Sequence, residues 1–151
     1  MYQIIILLLF TLLSNAANAQ KSSPDDILGE WLSEEKDSRI EIYKVGTEYF
    51  GKLLWSENLF EADGITSKKD VQNTNEKLRT RNLHHVNLLH DFVYDDGVWD
   101  NGKMYDPKSG KTYNCLLKMR KKLLEVRSYI GIPLLGRSTY WERSPKNSAQ
   151  R

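Results

Sequence analysis

The sequence predicts an all-β domain, built as an antiparallel up-and-down barrel of about eight strands. Three observations predict this fold. Short runs alternate between apolar and polar residues, turn-forming residues recur between these runs at the spacing of β-hairpins, and Gly29 and Trp31 near the start have a matching arginine, Arg143, near the end. Closing such a sheet into a barrel leaves no exposed edge strand. A two-sheet sandwich is the competing arrangement.

The first 28 residues precede the predicted barrel. An apolar run over residues 4–13, followed by small residues at Ala17 and Ala19, indicates a signal peptide over residues 1–19. We expect cleavage near Ala19, export to the periplasm or the cell exterior, and an N-terminal lead-in over residues 20–28. The run is shorter than the about 20 residues that span a bilayer, so no stable membrane span is expected in the mature protein. No Lys or Arg precedes the run, which leaves a retained anchor as the alternative.

Three strands are expected before the middle of the chain. The first opens at Gly29, the second covers residues 39–45, and after a turn at residues 46–47 the third covers residues 49–55. Residues 56–82 have no strand signal, so a long loop joins the third and fourth strands. Residues 75–81 within it are expected to form a short helix, which makes this loop partly helical. A loop of this length is often a lid or a binding loop, and we expect it beside one opening of the barrel.

The remaining strands are expected over residues 88–94, 99–106, 111–119, 122–130 and 137–143. The clearest signal is the hairpin turn Asp106-Pro107-Lys108-Ser109-Gly110. Proline fixes the backbone angle φ at the first central position, aspartate hydrogen-bonds the turn, and Gly110 supplies a left-handed φ without strain. The barrel domain is therefore expected over residues 29–144, with a polar tail over residues 145–151.

The amino-acid composition and the absence of known motifs argue against several classes of function. The net charge is only +2, and the densest basic run, Lys118, Arg120, Lys121 and Lys122, is better explained by a solvated hairpin turn than by an anionic partner, so no nucleic-acid partner is expected. The single cysteine, Cys115, excludes an internal disulfide and alternates with apolar neighbours, which favours a buried side chain over a reactive thiol. The sequence contains no Gly-x-Ser-x-Gly elbow, His-Glu-x-x-His motif or phosphate-binding loop, so we expect no catalytic residues and no enzyme.

Metal binding would depend on the only three histidines, His84, His85 and His90. Neighbouring side chains of a strand point to opposite faces, so His84 and His85 are not expected to converge. We therefore expect neither a metal nor another cofactor.

Gly29, Trp31 and Arg143 are the residues predicted to close the barrel. The first and last strands of an up-and-down barrel run antiparallel, so the start of one adjoins the end of the other. Arg143 is expected to lie over the Trp31 ring beside Gly29 and to seal one end by a cation–π contact and hydrogen bonds to the backbone.

A series of motifs covers nearly the whole mature chain. They stand in the order Gly29-x-Trp31, Ile40-Glu41-Ile42-Tyr43-Lys44, Gly51-Lys52, Asp70-x-x-Asn73, Leu78-Arg79-x-Arg81, Gly102-x-x-Tyr105-Asp106-Pro107-x-x-Gly110-Lys111-Thr112-Tyr113, Arg127-x-Tyr129, Gly136-Arg137 and Trp141-x-Arg143. Together they resemble the secreted bacterial proteins catalogued as domain of unknown function 2147 (DUF2147). The resemblance implies a lipocalin-like (calycin-like) fold and no established activity. The sequence departs from the family pattern at Asn82, His84 and Ser128.

A ligand site is expected at the end of the barrel opposite Trp31. Arg137 and Trp141 share one face of the last strand, so if Trp141 points inward, Arg137 does too. Arg137, aided by Arg79 or Arg81 from the long loop, is a candidate for holding a carboxylate or phosphate group. The alternative, which we favour, pairs these arginines with Asp63, Asp70 or backbone carbonyls as internal struts.

Aromatic side chains supply the second part of the candidate site. Trp55, on the face of Leu53, and Tyr113, on the face of Cys115, either line a cavity or fill the core. The leading functional hypothesis is non-covalent binding or transport of a small hydrophobic or amphipathic, lipid-like ligand, with an acidic group as one option. The alternative is a cell-envelope interaction module whose barrel is filled by side chains and whose loops bind a protein or a glycan. The sequence leaves the ligand and the oligomeric state open.

Overall fold

A computed structural model describes residues 21–145 of the chain, and within them an eight-stranded antiparallel sheet closes into a barrel. The strands are β1 Gly29–Leu32, β2 Ser38–Val45, β3 Glu48–Ser56, β4 Asn87–Asp95, β5 Val98–Asp106, β6 Lys111–Arg120, β7 Leu123–Tyr129 and β8 Arg137–Arg143. Each strand pairs with the next, and β8 pairs back with β1 at Trp31 with Arg143. The predicted up-and-down barrel is confirmed, and the sandwich is excluded.

Parts of the predicted domain plan fall beyond these residues. The signal peptide predicted over residues 1–19 lies outside the described residues, as do residue 20 of the lead-in and residues 146–151 of the tail. Between residues 21 and 145, none of the helical turns has the length and apolar character needed to cross a bilayer.

The two ends of the barrel are built differently. We call the end that holds residues 21–28 and the β2–β3, β4–β5 and β6–β7 turns the closed end. The opposite end, which holds residues 33–37, 57–86, 107–110 and 130–136, is the open end. The lead-in covers the closed end because two indole N–H groups bind it: Trp31 Nε1 donates to Ile27 O at 2.8 Å, and Trp99 Nε1 donates to Pro24 O at 3.0 Å.

Large side chains fill the half of the barrel next to the closed end. Trp31, Tyr49, Phe92 and Trp99 are all fully buried there. The rings of Tyr49 and Trp99 meet edge to face, with their centroids 6.4 Å apart. A side chain at Gly102 would be impossible without movement, because its Cβ would lie 2.3 Å from the Phe92 ring. This half of the barrel is therefore a packed core.

The loop over residues 57–86 differs from its prediction in one respect. It joins β3 to β4 as expected, but the predicted helix over residues 75–81 is only a single 3-10 turn, Glu76–Leu78. The turn ends because the chain enters extended pairing immediately afterwards. The backbone N–H of Asp70 donates to Arg81 O at 3.1 Å, and Lys69 forms a β-bridge with Asn82. The prediction of a partly helical loop is not supported beyond that turn.

The predicted hairpin turn at residues 106–110 is confirmed. Gly110 has a φ of +69°, its N–H donates to Asp106 O at 2.8 Å, and the Asp106 carboxylate accepts from the N–H of Lys108 at 3.0 Å. Gly110 also has a second role. A Cβ at this position would lie 1.8 Å from Gln72 O, so the long loop packs directly against the turn.

Candidate functional site

A cavity of about 490 Å³ occupies the open end of the barrel. Its apolar lining comprises Ile40, Leu53, Leu83, Leu88, Leu89, Met104, Pro107, Val126 and Trp141. Ile40, Leu53, Leu89 and Val126 also belong to the buried core, so the packed half of the barrel forms the floor of the cavity. Polar side chains join the lining, and the charged ones are Glu35, Asp37, Asp106, Lys108 and Arg137.

β8 contributes alternate residues to this cavity. Arg137, Thr139 and Trp141 all line it, as expected for one face of a strand. The Trp141 indole N–H donates to Thr139 Oγ1 at 3.0 Å, so the ring adds apolar surface without an unpaired donor. Arg137 is exposed, and no acceptor within residues 21–145 forms a hydrogen bond or an ion pair with its side chain.

Two of the three acidic side chains in the lining, Asp37 and Asp106, are already engaged, and the third, Glu35, forms no ion pair or side-chain hydrogen bond within the described residues. Asp37 accepts hydrogen bonds from Ser33 Oγ at 2.9 Å and Ser38 Oγ at 3.1 Å, and Lys108 Nζ lies 3.7 Å away. Burial disfavours the charged form of Asp37, but these donors outweigh it and lower the pKa of the carboxyl. The Asp106 carboxylate is occupied by its own turn, where Ser109 Oγ donates to it at 2.6 Å. Of the two cations in the lining, Lys108 forms a long ion pair with Asp37, and Arg137 has no ion pair or hydrogen bond within residues 21–145.

The two arginines of the long loop lie elsewhere. Arg81 binds Asp70, with Nε at 2.8 Å and Nη2 at 2.7 Å from Oδ2, and Arg79 Nε donates to Asn73 O at 2.8 Å. Neither residue lines the cavity. These contacts correspond to the alternative interpretation, in which Asp70 and backbone carbonyls hold the arginines as struts. Asp63, the other proposed partner, instead accepts backbone N–H groups within its own turn.

Asp70 is the centre of a buried polar network that was not predicted from the sequence. The Tyr105 hydroxyl donates to Asp70 Oδ1 at 2.5 Å, and Asn73 Nδ2 donates to Asp70 Oδ2 at 2.8 Å. Arg81 completes it from above the Tyr105 ring, 5.5 Å from the centroid. Burial, and then the hydrogen bond to Asp70, raises the pKa of Tyr105 to about 12. The network attaches the long loop to the end of β5 beside the cavity. The only indication of it in the sequence was that Tyr105 belongs to one of the family motifs.

Trp55 lies on the opposite face from the one predicted. Arg39 pairs with Trp55 and Ile40 pairs with Leu53, so Leu54 has no partner and forms a β-bulge. One extra residue reverses the alternation, which places Trp55 on the face of Arg39 and outside the cavity lining. Tyr113 pairs with Met104, a lining residue, but is itself not part of the lining.

The three residues predicted to close the barrel meet at the closed end. The Arg143 guanidinium lies 4.0 Å from the centroid of the Trp31 ring. Its Nη1 donates to Leu28 O at 2.5 Å, and its Nη2 donates to Asp26 O. Gly29 has a φ of +109°, and a Cβ there would lie 3.0 Å from Arg143 Nη1. Glycine is therefore required both by the backbone conformation and by the space that the guanidinium occupies.

The histidine prediction needs a correction. The rings of His84 and His85 are in contact, with their centroids 3.8 Å apart and their planes tilted by 30°, although they were expected to diverge along a strand. The reason is that β4 begins only at Asn87 and that His85 has a φ of +66°. Burial and the neighbouring His85 lower the pKa of His84. In the part of the chain that the structure describes, no three metal-ligating side chains converge.

Cys115 is fully buried on β6 and carries a free thiol. Burial raises its pKa to about 12, which suppresses the reactive thiolate.

Comparison with known proteins supports the architecture. A family model described as an uncharacterized protein conserved in bacteria (DUF2147) matches residues 29–143, which confirms the resemblance found in the motifs. A similar solved structure is that of protein HP1028 from the human pathogen Helicobacter pylori, which is described as belonging to the lipocalin family. The two chains share 26% sequence identity with a TM-score of 0.69, over 80% of this chain and 84% of that one. No curated protein matches this chain.

Proposed function

Since this chain belongs to the DUF2147 family of uncharacterized bacterial proteins and folds as a lipocalin-like barrel, we propose that it binds a small amphipathic molecule without catalysing a reaction on it. The apolar part of the molecule occupies the cavity at the open end. An acidic group of the molecule binds Arg137 at the rim.

The observation that carries this proposal is the cavity itself. Its volume of about 490 Å³ falls within the range of roughly 300–1,000 Å³ typical of small-molecule sites. Apolar side chains from several strands, among them Leu53, Met104 and Trp141, form its walls. Such a surface excludes water from an alkyl or aromatic group and favours its transfer from solvent by about 25 cal/mol for each Å² buried.

The charge of the head group follows from Arg137. Its guanidinium lies at the rim with unused donors, while the neighbouring Asp37 and Asp106 are satisfied by protein groups. A planar fork of N–H donors matches a carboxylate or a phosphate better than it matches a neutral group. A molecule with an apolar chain and one anionic end therefore fits this site best.

The alternative function, a cell-envelope module that binds a protein or a glycan through its loops, requires a barrel filled by side chains. The half next to the closed end is filled, but the open half holds the cavity. The cavity thus supports small-molecule binding over the interaction module.

The direct test is titration of the mature chain with a fluorescent fatty acid and with the fatty alcohol of the same length. We expect saturable, one-site binding of the acid, and we expect Arg137→Ala to weaken it by about tenfold or more, since a hydrogen bond to a charged group contributes about 1.5–3 kcal/mol. The alcohol should bind both proteins equally, because it makes no charged contact. Absence of saturable binding by a panel of such lipids and hydrophobic dyes would refute the proposal.

Export belongs to the same proposal. The apolar run at residues 4–13 and the small residues before Gln20 support secretion into the periplasm or the medium. Expression of the full chain in a bacterium, followed by mass spectrometry of the periplasmic fraction, should find an N-terminus at or near Gln20. A full-length protein that stays in the membrane fraction would point instead to a retained anchor.

A further inference from the structure

The loop between β7 and β8, residues 130–136, exposes four large apolar side chains. The exposed fraction is 76% for Ile130, 55% for Ile132, 81% for Leu134 and 77% for Leu135. Isolated exposed apolar residues are ordinary, but four within six residues form a patch that needs a partner. This patch lies at the open end of the barrel, and the chain passes directly from it to the cavity-lining Arg137.

Part of the backbone of this loop is satisfied by the protein itself. Arg127 Nε donates to Pro133 O at 2.7 Å, and Arg127 Nη2 donates to Leu134 O at 3.1 Å. Two further bonds form within the loop, from Leu135 N to Ile132 O at 3.2 Å and from Gly136 N to Pro133 O at 3.0 Å. Unsatisfied carbonyls are what normally keeps an irregular loop out of an apolar phase. Here three consecutive carbonyls already have donors from the protein.

Arginines stand next to the loop, and two carboxylates beyond it already accept hydrogen bonds: Glu125 Oε1 from Ser138 Oγ at 2.7 Å and Glu34 Oε2 from the Tyr140 N–H at 3.1 Å. Residues 126–141 contain no aspartate or glutamate, and their two charged residues, Arg127 and Arg137, stand on either side of the apolar loop. Tyr140, which is 40% exposed, adds an amphipathic ring nearby. An apolar tip flanked by arginine and tyrosine is the pattern of segments that lie in the headgroup region of a bilayer.

We propose that residues 130–136 insert into the surface of a bilayer that contains anionic lipids and so dock the open end of the barrel on the membrane. The apolar tip enters the boundary between headgroups and acyl chains, and Arg137, whose side chain has no hydrogen-bond partner within the described residues, binds a lipid phosphate, while Arg127 holds the loop carbonyls. A lipid surface fits better than a folded partner because the patch is a projecting loop, whose exposed side chains gain most from entering a deformable apolar phase. Docking places the cavity opening against the lipid, so an amphipathic molecule can pass between them without crossing water.

The test is co-sedimentation of the full mature chain with vesicles of equal parts phosphatidylglycerol and phosphatidylethanolamine, with no added small ligand. We expect the wild-type protein to bind and the variant Leu134→Ser/Leu135→Ser to lose at least about tenfold in partition coefficient. The matched control is Val45→Ser/Leu123→Ser, which removes exposed apolar side chains, 59% and 39% exposed, at the closed end. This control should bind as the wild type does.

Several outcomes would overturn the proposal. Failure of the wild-type protein to bind vesicles is one, and an equal loss in the control pair is another. A concentration-dependent dimer that Leu134→Ser/Leu135→Ser abolishes, without vesicle binding, would assign the patch to a second copy of the chain. Should the serine pair fail to fold, Leu134→Trp replaces it, and acyl-chain-brominated lipid should then quench fluorescence beyond the wild-type level. Because no small ligand is present, the result is independent of the cavity-binding proposal.

Discussion

The guanidinium of Arg143 stacks on the indole of Trp31, 4.0 Å from its centroid, and joins the last strand to the first. The contact links the two ends of the barrel sheet, and it also anchors the lead-in through the carbonyls of Asp26 and Leu28. One side chain thus closes the sheet and covers its end.

We expect Arg143→Ala to lower the free energy of unfolding by about 2–4 kcal/mol, because it removes the cation–π contact and leaves two carbonyls without their donor. Urea unfolding measures this loss. The control is Arg137→Ala, on the same face of β8 but without a hydrogen bond or ion pair within the described residues, whose effect should stay within about 0.5 kcal/mol. Equal effects of the two changes would show that closure does not depend on Arg143.

Packing of the long loop on the β5–β6 turn can be tested by replacing Gly110 with alanine. Gly46→Ala and Gly110→Ala both place a side chain at positive φ, +61° and +69°, which costs about 1 kcal/mol. Only at Gly110 would the new Cβ also meet a backbone oxygen, Gln72 O, so we expect a further loss of roughly 1–3 kcal/mol. Gly110→Ala should also speed proteolysis within residues 57–86, whereas Gly46→Ala should not. Unfolding curves and cleavage-site mapping provide the two measurements.

The buried hydroxyl of Tyr105 should hold the same loop. Tyr105→Phe removes the hydroxyl that donates to Asp70 and accepts from Asn73. We expect this change to lower the free energy of unfolding by about 1–3 kcal/mol. Hydrogen exchange should accelerate in residues 70–81 before it accelerates in the strands. The matched change is Tyr43→Phe, which removes a partly buried hydroxyl bonded to Asn87 and should cost less than about 1 kcal/mol. Unchanged exchange in Tyr105→Phe would refute this role.

Tyr105 also predicts a dependence of stability on alkaline pH. Its pKa is raised from 10.0 to about 12, so the folded state favours the neutral phenol. The resulting stabilisation is complete below pH 10 and is lost as the pH rises from 10 towards 12. The unfolding free energy of the wild type should therefore decline more steeply over this interval than that of Tyr105→Phe. Parallel declines would mean that Tyr105 titrates normally in the folded protein.

Alternation of residue types and the spacing of turns predicted the strands, because burial of one face imposes a period of two on each strand, and Gly29, Trp31 and Arg143 predicted their closure. The same rule explains the error at Trp55. Leu53 and Leu54 are both apolar, so nothing in the pattern reveals that Leu54 is bulged and that the alternation reverses after it. A bulge is decided by the partner strand, which a linear pattern does not contain.

Loop residues were less predictable for a related reason. Arg79 and Arg81 were recognised as functional candidates or struts, but the choice between these depended on where Asp70 and Asn73 would fold. The contact between the rings of His84 and His85 likewise depends on the left-handed backbone conformation of His85, which the residue types at these positions do not predict. Arg137 and Trp141 were easier to place because a strand, not a loop, sets their direction.

The division of the barrel into a solid half and a hollow half has an evolutionary consequence. Side chains that determine whether the chain folds, such as Trp99 and Phe92, are spatially separate from those around the mouth, such as Arg137 and Trp141. Substitutions around the mouth should therefore carry little thermodynamic penalty, so the specificity of the proposed binding site can change without loss of the scaffold.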